Sequence, residues 1–307
     1  MPRRLLVTGA TGKQGGALIA ALTSQPNHPF EIFAVTRDKA STSAQRLASK
    51  PGVKLIQGNL DNATAIFDQI PKPVWGIFAV PMMDKGRERE EAQGKALTKA
   101  AVAAGVSHIV FTSTDSGGQT GSEGNPTSVP HFASKFRIEE DIKRVAAAAQ
   151  KSNHKSMTYT FLRPVAFFEN MTDDFFGRAF ASMWRLNGAD RPLQLIATSD
   201  IGRVAAEAFL AHDSPRYKNT AVSLAGDELS INQAATIFQG ETGQRLPETY
   251  SWLGGSIRYM VTDLREMFRW FKGDGFGVDL PELKKSYPYM KDFRTWLREE
   301  SAWKKSK

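Results

Sequence analysis

Thr8-Gly9-Ala10-Thr11-Gly12-Lys13-Gln14-Gly15-Gly16 separates the apolar run Leu5-Leu6-Val7 from the apolar-periodic stretch Ala17-Leu18-Ile19-Ala20-Ala21-Leu22. A glycine turn that closes a strand and opens a helix is the setting in which proteins hold a pyrophosphate. Residues without Cβ let backbone N–H groups come close to the phosphate, and the helix N-terminus adds partial positive charge. Gly9, Gly12 and Gly15 take these roles, with Thr11, Lys13 and Gln14 beside them. The spacing is G-x-x-G-x-x-G rather than G-x-G-x-x-G. The turn predicts an α/β fold, a doubly wound parallel sheet of Rossmann type.

Outward from the turn, short apolar runs alternate with amphipathic segments as far as Pro164, the rhythm of parallel strands joined by crossover helices. Strands are expected at Arg4 to Thr8, Glu31 to Thr36, Val53 to Gln57, Val74 to Val80, His108 to Ser113 and Thr158 to Leu162. Helices are expected at Gly12 to Leu22, Ala63 to Ile70, Glu88 to Ala104 and Ser134 to Ala149. Beyond Pro164 the aromatic residues become dense. Helices at Asp173 to Leu186, Ile201 to Ala211, Ile231 to Thr242 and Ser256 to Lys272, and a strand at Ala221 to Leu224, fit that half. The expected organisation is a dinucleotide-binding domain over 1–164 and a smaller, mainly helical, aromatic-rich substrate lobe over 165–307, with about 194–225 returning to the sheet.

The end of the second strand reads Val35-Thr36-Arg37-Asp38-Lys39. An NAD site places an acidic residue there to accept from the ribose 2′-hydroxyl. Arg37 instead offers a planar guanidinium suited to a 2′-phosphate, and Lys13 adds a second positive charge, so NADP(H) is the expected cofactor. Solvent-facing Arg37 and Lys13, with Asp38 toward the ribose, is the competing reading. Asn59 and Leu60 after strand three, and Ala79, Val80 and Pro81 after strand four, lie at carboxyl ends of strands, where ligands bind in open sheets. Asn59 either contacts adenine or, with Asp61, caps a helix.

The 307 residues carry a formal charge of +8 and no cysteine, which removes disulfides, thiolate nucleophiles and cysteine-ligated metal. His28, His108, His154 and His212 have no metal-ligand spacing, so no metal site is expected. Basic residues are scattered, and the groups Lys284-Lys285 and Lys304-Lys305-Ser306-Lys307 are too small for a nucleic-acid tract. The apolar run after Arg3-Arg4 is too short for a signal peptide, and no stretch reaches membrane-spanning length. The expected setting is the cytoplasm, nuclear entry remaining open, with a small molecule as partner.

Where short-chain reductases have a serine at the end of strand five and then Tyr-x-x-x-Lys, this chain has Thr112-Ser113-Thr114 and His131-Phe132-Ala133-Ser134-Lys135. The exchange of Tyr for His with Lys135 kept resembles the NmrA-like family of atypical short-chain dehydrogenases, fungal regulators, redox sensors and reductases. Arg163-Pro164-Val165-Ala166-Phe167-Phe168-Glu169-Asn170-Met171 resembles the segment that family places beside the nicotinamide. With the glycine turn and Thr36-Arg37-Asp38, the resemblance spans Arg3 to about Leu224. It implies NADP(H) binding, Thr112, Pro164 and Phe167 at the cofactor, Lys135 on the ribose, and Ser113 with His131 at the chemistry.

Residues four apart share a helix face, so His131 and Lys135 project together. Histidine titrates near neutrality and can replace tyrosine as proton donor, or it merely caps or lines the pocket. Phe168, Asn170, Phe176 and Trp184, with Phe167, Phe175 and Phe180, either line an apolar substrate pocket or form core. The Gly/Ser/Pro/Thr-rich stretch from Asp115 to Pro130 is either a lid or an irregular solvated loop. Three functions follow. One is an NADP(H)-dependent reductase of a small apolar or aromatic molecule, such as a secondary metabolite. The others are a non-catalytic redox sensor or transcriptional co-regulator with a protein partner, and a non-redox biosynthetic enzyme in which the cofactor orients and His131 is acid/base.

Overall fold

Strands buried on both faces can be apolar throughout; β2 (Phe30–Thr36), β4 (Gly76–Ala79) and β5 (His108–Thr112) are almost wholly buried, and β1 (Arg3–Val7) is buried from Leu5 to Val7. The computed structural model describes residues 2–25, 27–81, 87–151, 157–249 and 262–303. With β3 (Val53–Gln57), β6 (Thr158–Pro164) and β9 (Thr220–Leu224), these strands form a seven-stranded sheet in the order β3-β2-β1-β4-β5-β6-β9. The pairs from β3 through β6 are parallel, with Leu5 opposite Ile32 and Gly76, and Ile109 opposite Ile77 and Tyr159. The order turns outward on either side of β1 and β4, the Rossmann arrangement.

The connecting helices are α1 (Lys13–Thr23), α2 (Thr42–Ala48), α3 (Ala63–Phe67), α4 (Arg87–Ala103) and α6 (Pro130–Lys151), with the single turn α5 (Gly118–Gly121) between the last two. Leu6, Ile77, Ile109, Leu97, Ile138 and Phe161 belong to one core between sheet and helices. α8 (Thr198–Leu210) packs on α1 through Gly202, whose missing Cβ would fall 2.4 Å from the Ala17 carbonyl carbon. α6 begins at Pro130 rather than Ser134, because proline is favoured in a first helical turn, where its missing N–H costs nothing. His131 and Lys135 are therefore one turn apart on the same helix.

The chain divides into two compact units, with one boundary between residues 163 and 164. The first holds residues 1–113, 134–163 and 201–222, and the second 114–133, 164–200 and 223–307. The returning segment is thus 201–222, and the loop before α6 belongs to the second unit. That unit contains β7 (Ala166–Phe167), β8 (Leu193–Ile196) and β10 (Asp227–Leu229), a small sheet in the order β10-β8-β7. Around it stand α7 (Phe175–Leu186), α9 (Ile231–Thr242), α10 (Thr262–Lys272), α11 (Leu280–Ser286) and α12 (Phe293–Glu299). Its core is aromatic: Phe168 lies 5.5 Å from Trp296 and 5.6 Å from Phe293, and Phe180 lies 6.0 Å from Phe268. The expected helix from Ser256 begins outside the described residues, as do His154 and the Lys304 to Lys307 tail. Among the described residues no helix is long and apolar enough to cross a membrane.

Candidate functional site

The three glycines of the turn do different work. Gly9 has φ +58°, a left-handed conformation that glycine adopts without strain, and its Cα faces Val80 at the end of β4. Gly12 is the N-cap of α1 and supplies no side chain to cap it, and the first turn has no acidic residue. Among the described residues, a Cβ on Gly12 would meet the Gly9 carbonyl oxygen alone, at 3.2 Å. On Gly15 a Cβ would lie 2.4 Å from the same oxygen. Gly15 therefore permits close packing of helix on turn, while Gly12 leaves room for an anion in front of the helix N-terminus. Thr11 and Lys13 are exposed, and the buried Gln14 Oε1 accepts no hydrogen bond among the described residues.

A residue outside the expected set, Thr8, ties the turn to β4. Its hydroxyl donates to the Phe78 carbonyl at 3.1 Å and accepts from the Val80 amide at 2.8 Å. This fixes Val80 beside Gly9, with Ala79 and Pro81 buried on either side. At the end of β2, the Thr36 hydroxyl accepts from the Asp38 amide at 3.2 Å and donates to its carbonyl at 2.9 Å. Asp38 Oδ1 in turn accepts from the Ala40 amide at 2.8 Å. The Asp38 carboxylate thus shapes the loop, and the exposed Arg37 lies in the same turn.

After β3, Asn59 caps the short 3-10 turn Leu60–Asn62 by accepting from the Asp61 amide at 3.2 Å. The Leu60 side chain is buried in the core. Asp61 accepts from Arg89 Nε and Gln93 Nε2, each at 2.8 Å, and from Asn59 Nδ2 at 3.0 Å. The Arg89 guanidinium, helped by Gln93, lowers the Asp61 pKa to about 2. Of the two readings of Asn59, the structure displays the helix cap.

At the end of β5, the buried Thr112 Oγ1 has no hydrogen-bond partner among the described residues, and the Ser113 amide donates to Leu162 at 2.7 Å. Lys135, 17% exposed, places Nζ 3.0 Å from Oε1 of Glu90 on α4. Glu90 Oε2 accepts from the Ser134 hydroxyl. Three buried polar residues lie outside the expected set. Glu90 is one; Glu139 on α6 is another, and it holds Arg163 in a buried two-pronged ion pair at 2.6 and 3.0 Å. The third, Asp115, accepts from the Gly117, Gly118 and Gly277 amides at 3.2, 3.0 and 3.1 Å. Asp115 knots the expected lid or solvated loop into the second unit, where a Cβ on Gly118 would fall 2.0 Å from the Gly277 oxygen. Only the Asp-x-Gly-Gly pattern at 115–118 could have suggested such a turn.

The 163–171 segment departs from a uniform lining. Pro164 is buried and its carbonyl accepts from the Asp115 amide, while Phe167 lies in β7 opposite Ile196. Phe168 and Trp184 are fully packed core residues, which corrects their assignment to a substrate pocket: aromatic density here builds the core of a unit with few strands. Phe176 is the opposite correction, 80% exposed at the start of α7. Asn170 is half-buried at the end of the 3-10 turn after β7, and Glu169 Oε1 in that turn accepts from the Thr198 amide and hydroxyl at 2.8 and 2.7 Å.

A model of the NmrA-like family matches residues 1–292. The chain belongs to the NmrA-like family. The match continues well past Leu224, where the recognisable motifs end. An NmrA-like family domain-containing oxidoreductase of Aspergillus hancockii is 25% identical, over 92% of this chain and 80% of that protein. Among solved structures, the negative transcriptional regulator NmrA in complex with NADP aligns with a TM-score of 0.69 at 19% identity, covering 98% of this NmrA-like chain and 95% of that one. The Escherichia coli NADPH-dependent quinone oxidoreductase complexed with NADPH gives 0.69 at 20% identity, covering 94% and 97%. At these identities the solved structures establish a shared fold.

Proposed function

We propose that this NmrA-like protein binds NADP(H) and uses it to reduce a small apolar or aromatic substrate. The observation that carries the cofactor reading is the start of α1: among the described residues no side chain caps it, its first turn has no acidic residue, and a Gly12 Cβ would meet no atom but the Gly9 oxygen. The helix N-terminus and its dipole suit an anion, so the turn fits a pyrophosphate. Arg37 at the end of β2 suits the 2′-phosphate, and the loop-bound Asp38 carboxylate is engaged elsewhere. The buried Thr112 hydroxyl, without a hydrogen-bond partner among the described residues, adds a donor at the carboxyl end of β5.

NADPH, when bound, supplies a hydride. The chain's part is to orient the cofactor and provide a proton for the reduced substrate. Lys135 binds the ribose through its ammonium, and His131, one turn earlier on α6, gives up the proton, with Ser113 at the end of β5 orienting the acceptor. The names of fungal relatives as oxidoreductases and of the bacterial neighbour as an NADPH-dependent quinone oxidoreductase support a reductase. A second reading, a sensor whose partner binding follows the NADP(H) redox state, is favoured by histidine standing in place of tyrosine at 131 and by the regulator NmrA sharing the fold.

Titration calorimetry with NADPH and NADH, followed by NADPH oxidation assays over quinones, enones and aromatic carbonyls, tests both parts. Absence of NADPH binding sinks the cofactor reading. Binding without turnover, joined to NADPH-dependent capture of a protein partner, selects the sensor.

A further inference from the structure

Glu90 lies in the first turn of α4 and is only 1% exposed, although Glu88 in the same turn is exposed. An acidic residue that merely complements the helix dipole has no need to leave water, and Glu88 already does that work at the surface. Both Glu90 oxygens reach α6: Oε1 the Lys135 ammonium at 3.0 Å, Oε2 the hydroxyl of Ser134, the residue before it. Lys135 Nζ also lies 6.0 Å from the centre of the Phe111 ring on β5. Burying a carboxylate is costly, and a buried ion pair is commonly no more stable than apolar residues of the same volume. Fold stability alone therefore gives a poor reason for this arrangement.

We propose that Glu90 is a positioning residue for the cofactor, holding the Lys135 ammonium in one place for the ribose hydroxyls of NADP(H). The inference rests on the cofactor reading above. A lysine ammonium is a compact charge on a flexible four-carbon stem, and freezing that stem only on ligand binding weakens the ligand. Here one of its three N–H donors is committed to Glu90, whose own rotation is stopped by Ser134. Among the described residues Glu90 is its ion-pair partner, and the other two donors can turn to a ribose.

The test is NADPH affinity, measured by calorimetry on the full chain, for Glu90→Gln, Lys135→Met and the double variant, with thermal unfolding followed alongside. Glu90→Gln keeps the side-chain volume and removes the charge. It is expected to weaken NADPH by about tenfold, the scale of one charge-assisted contact. In the Lys135→Met background the same change is expected to add no further loss, since Glu90 acts only through Lys135. An unaltered affinity in Glu90→Gln overturns the proposal, and so does an equal loss in both backgrounds, the mark of a merely structural residue. If Glu90→Gln does not fold, Glu90→Asp, which withdraws the charge by one methylene, is judged by the same two comparisons. Failure of the wild-type protein to bind NADPH overturns the cofactor reading and this inference together, whereas wild-type binding with Glu90 indifferent overturns the inference alone.

Discussion

Acid should weaken the fold through His108. This residue begins β5, with Nδ1 2.8 Å from Thr158 Oγ1 and Nε2 3.2 Å from Thr160 Oγ1. Its ring packs against Phe209 at 5.9 Å, His212 at 5.8 Å and Trp75 at 6.3 Å. Burial, reinforced by the neighbouring His212, lowers its pKa from 6.5 to about 3. The folded protein thus keeps His108 neutral where the unfolded chain takes up a proton. The stabilisation is fully present above pH 6.5 and is lost progressively as pH falls from 6.5 toward 3. Each pH unit within that window is worth about 1.4 kcal/mol, so roughly two units below the unfolded value the loss is about 2.7 kcal/mol, a large part of a typical domain's stability. Urea unfolding of the wild type and of His108→Gln across this range measures it. His212, also lowered by burial, contributes in the same direction, so the difference between the two proteins is the quantity to read. Parallel pH dependences for the two would refute the assignment.

The remaining expectations concern the cofactor turn and the chemistry. Arg37→Ala should weaken NADPH by about 1.5–3 kcal/mol while leaving NADH nearly unchanged, and an equal loss for both in calorimetry removes the 2′-phosphate role. Gly12→Val should unfold at a temperature only modestly below wild type yet fail to bind NADPH, because among the described residues its Cβ would meet just the Gly9 oxygen, at 3.2 Å; retained binding would put the pyrophosphate elsewhere. Gly15→Ala should instead cost about 1–3 kcal/mol in chemical denaturation, since its Cβ would sit 2.4 Å from the Gly9 oxygen. Once a substrate is in hand, His131→Ala should slow turnover by about two to four orders of magnitude with little change in NADPH affinity, and Lys135→Ala should impair both. Single-turnover kinetics separate those cases, and normal turnover in His131→Ala would make that residue structural.

The glycine turn and the first six strands were legible because doubly buried strands are unbroken apolar runs and Gly9-x-x-Gly12 interrupts one at a strand-to-helix junction. α2, α11 and α12 escaped because each is only seven residues long and buries one to three side chains, too few to show a helical period. Their N-caps, Ser41, Asp279 and Asp292, and the proline in the first turn of α11 were the clearest marks. Aromatic density announced a differently built second half but could not sort Phe168 and Trp184, in the core, from Phe176, on the surface. Glu90 was illegible for another reason. Its partners lie more than forty residues away in sequence, and an acidic residue in a charged helical turn reads as solvated until packing brings α6 over it.

The first unit is written in three pieces, and its last strand reaches the sheet only when residues 201–222 arrive. On the ribosome, the edge of β6 and the aromatic faces of Phe30, Trp75 and His108 must wait for Phe209 and β9 while the 164–200 segment is still emerging. A shortened chain ending at Pro164 would keep the whole glycine turn and still expose a bare strand edge beside uncovered aromatic surface, a template for aggregation. The residues that bind and the residues that make binding soluble are thus separated along the gene, and the nascent protein depends on holding the former in reserve until the latter are made.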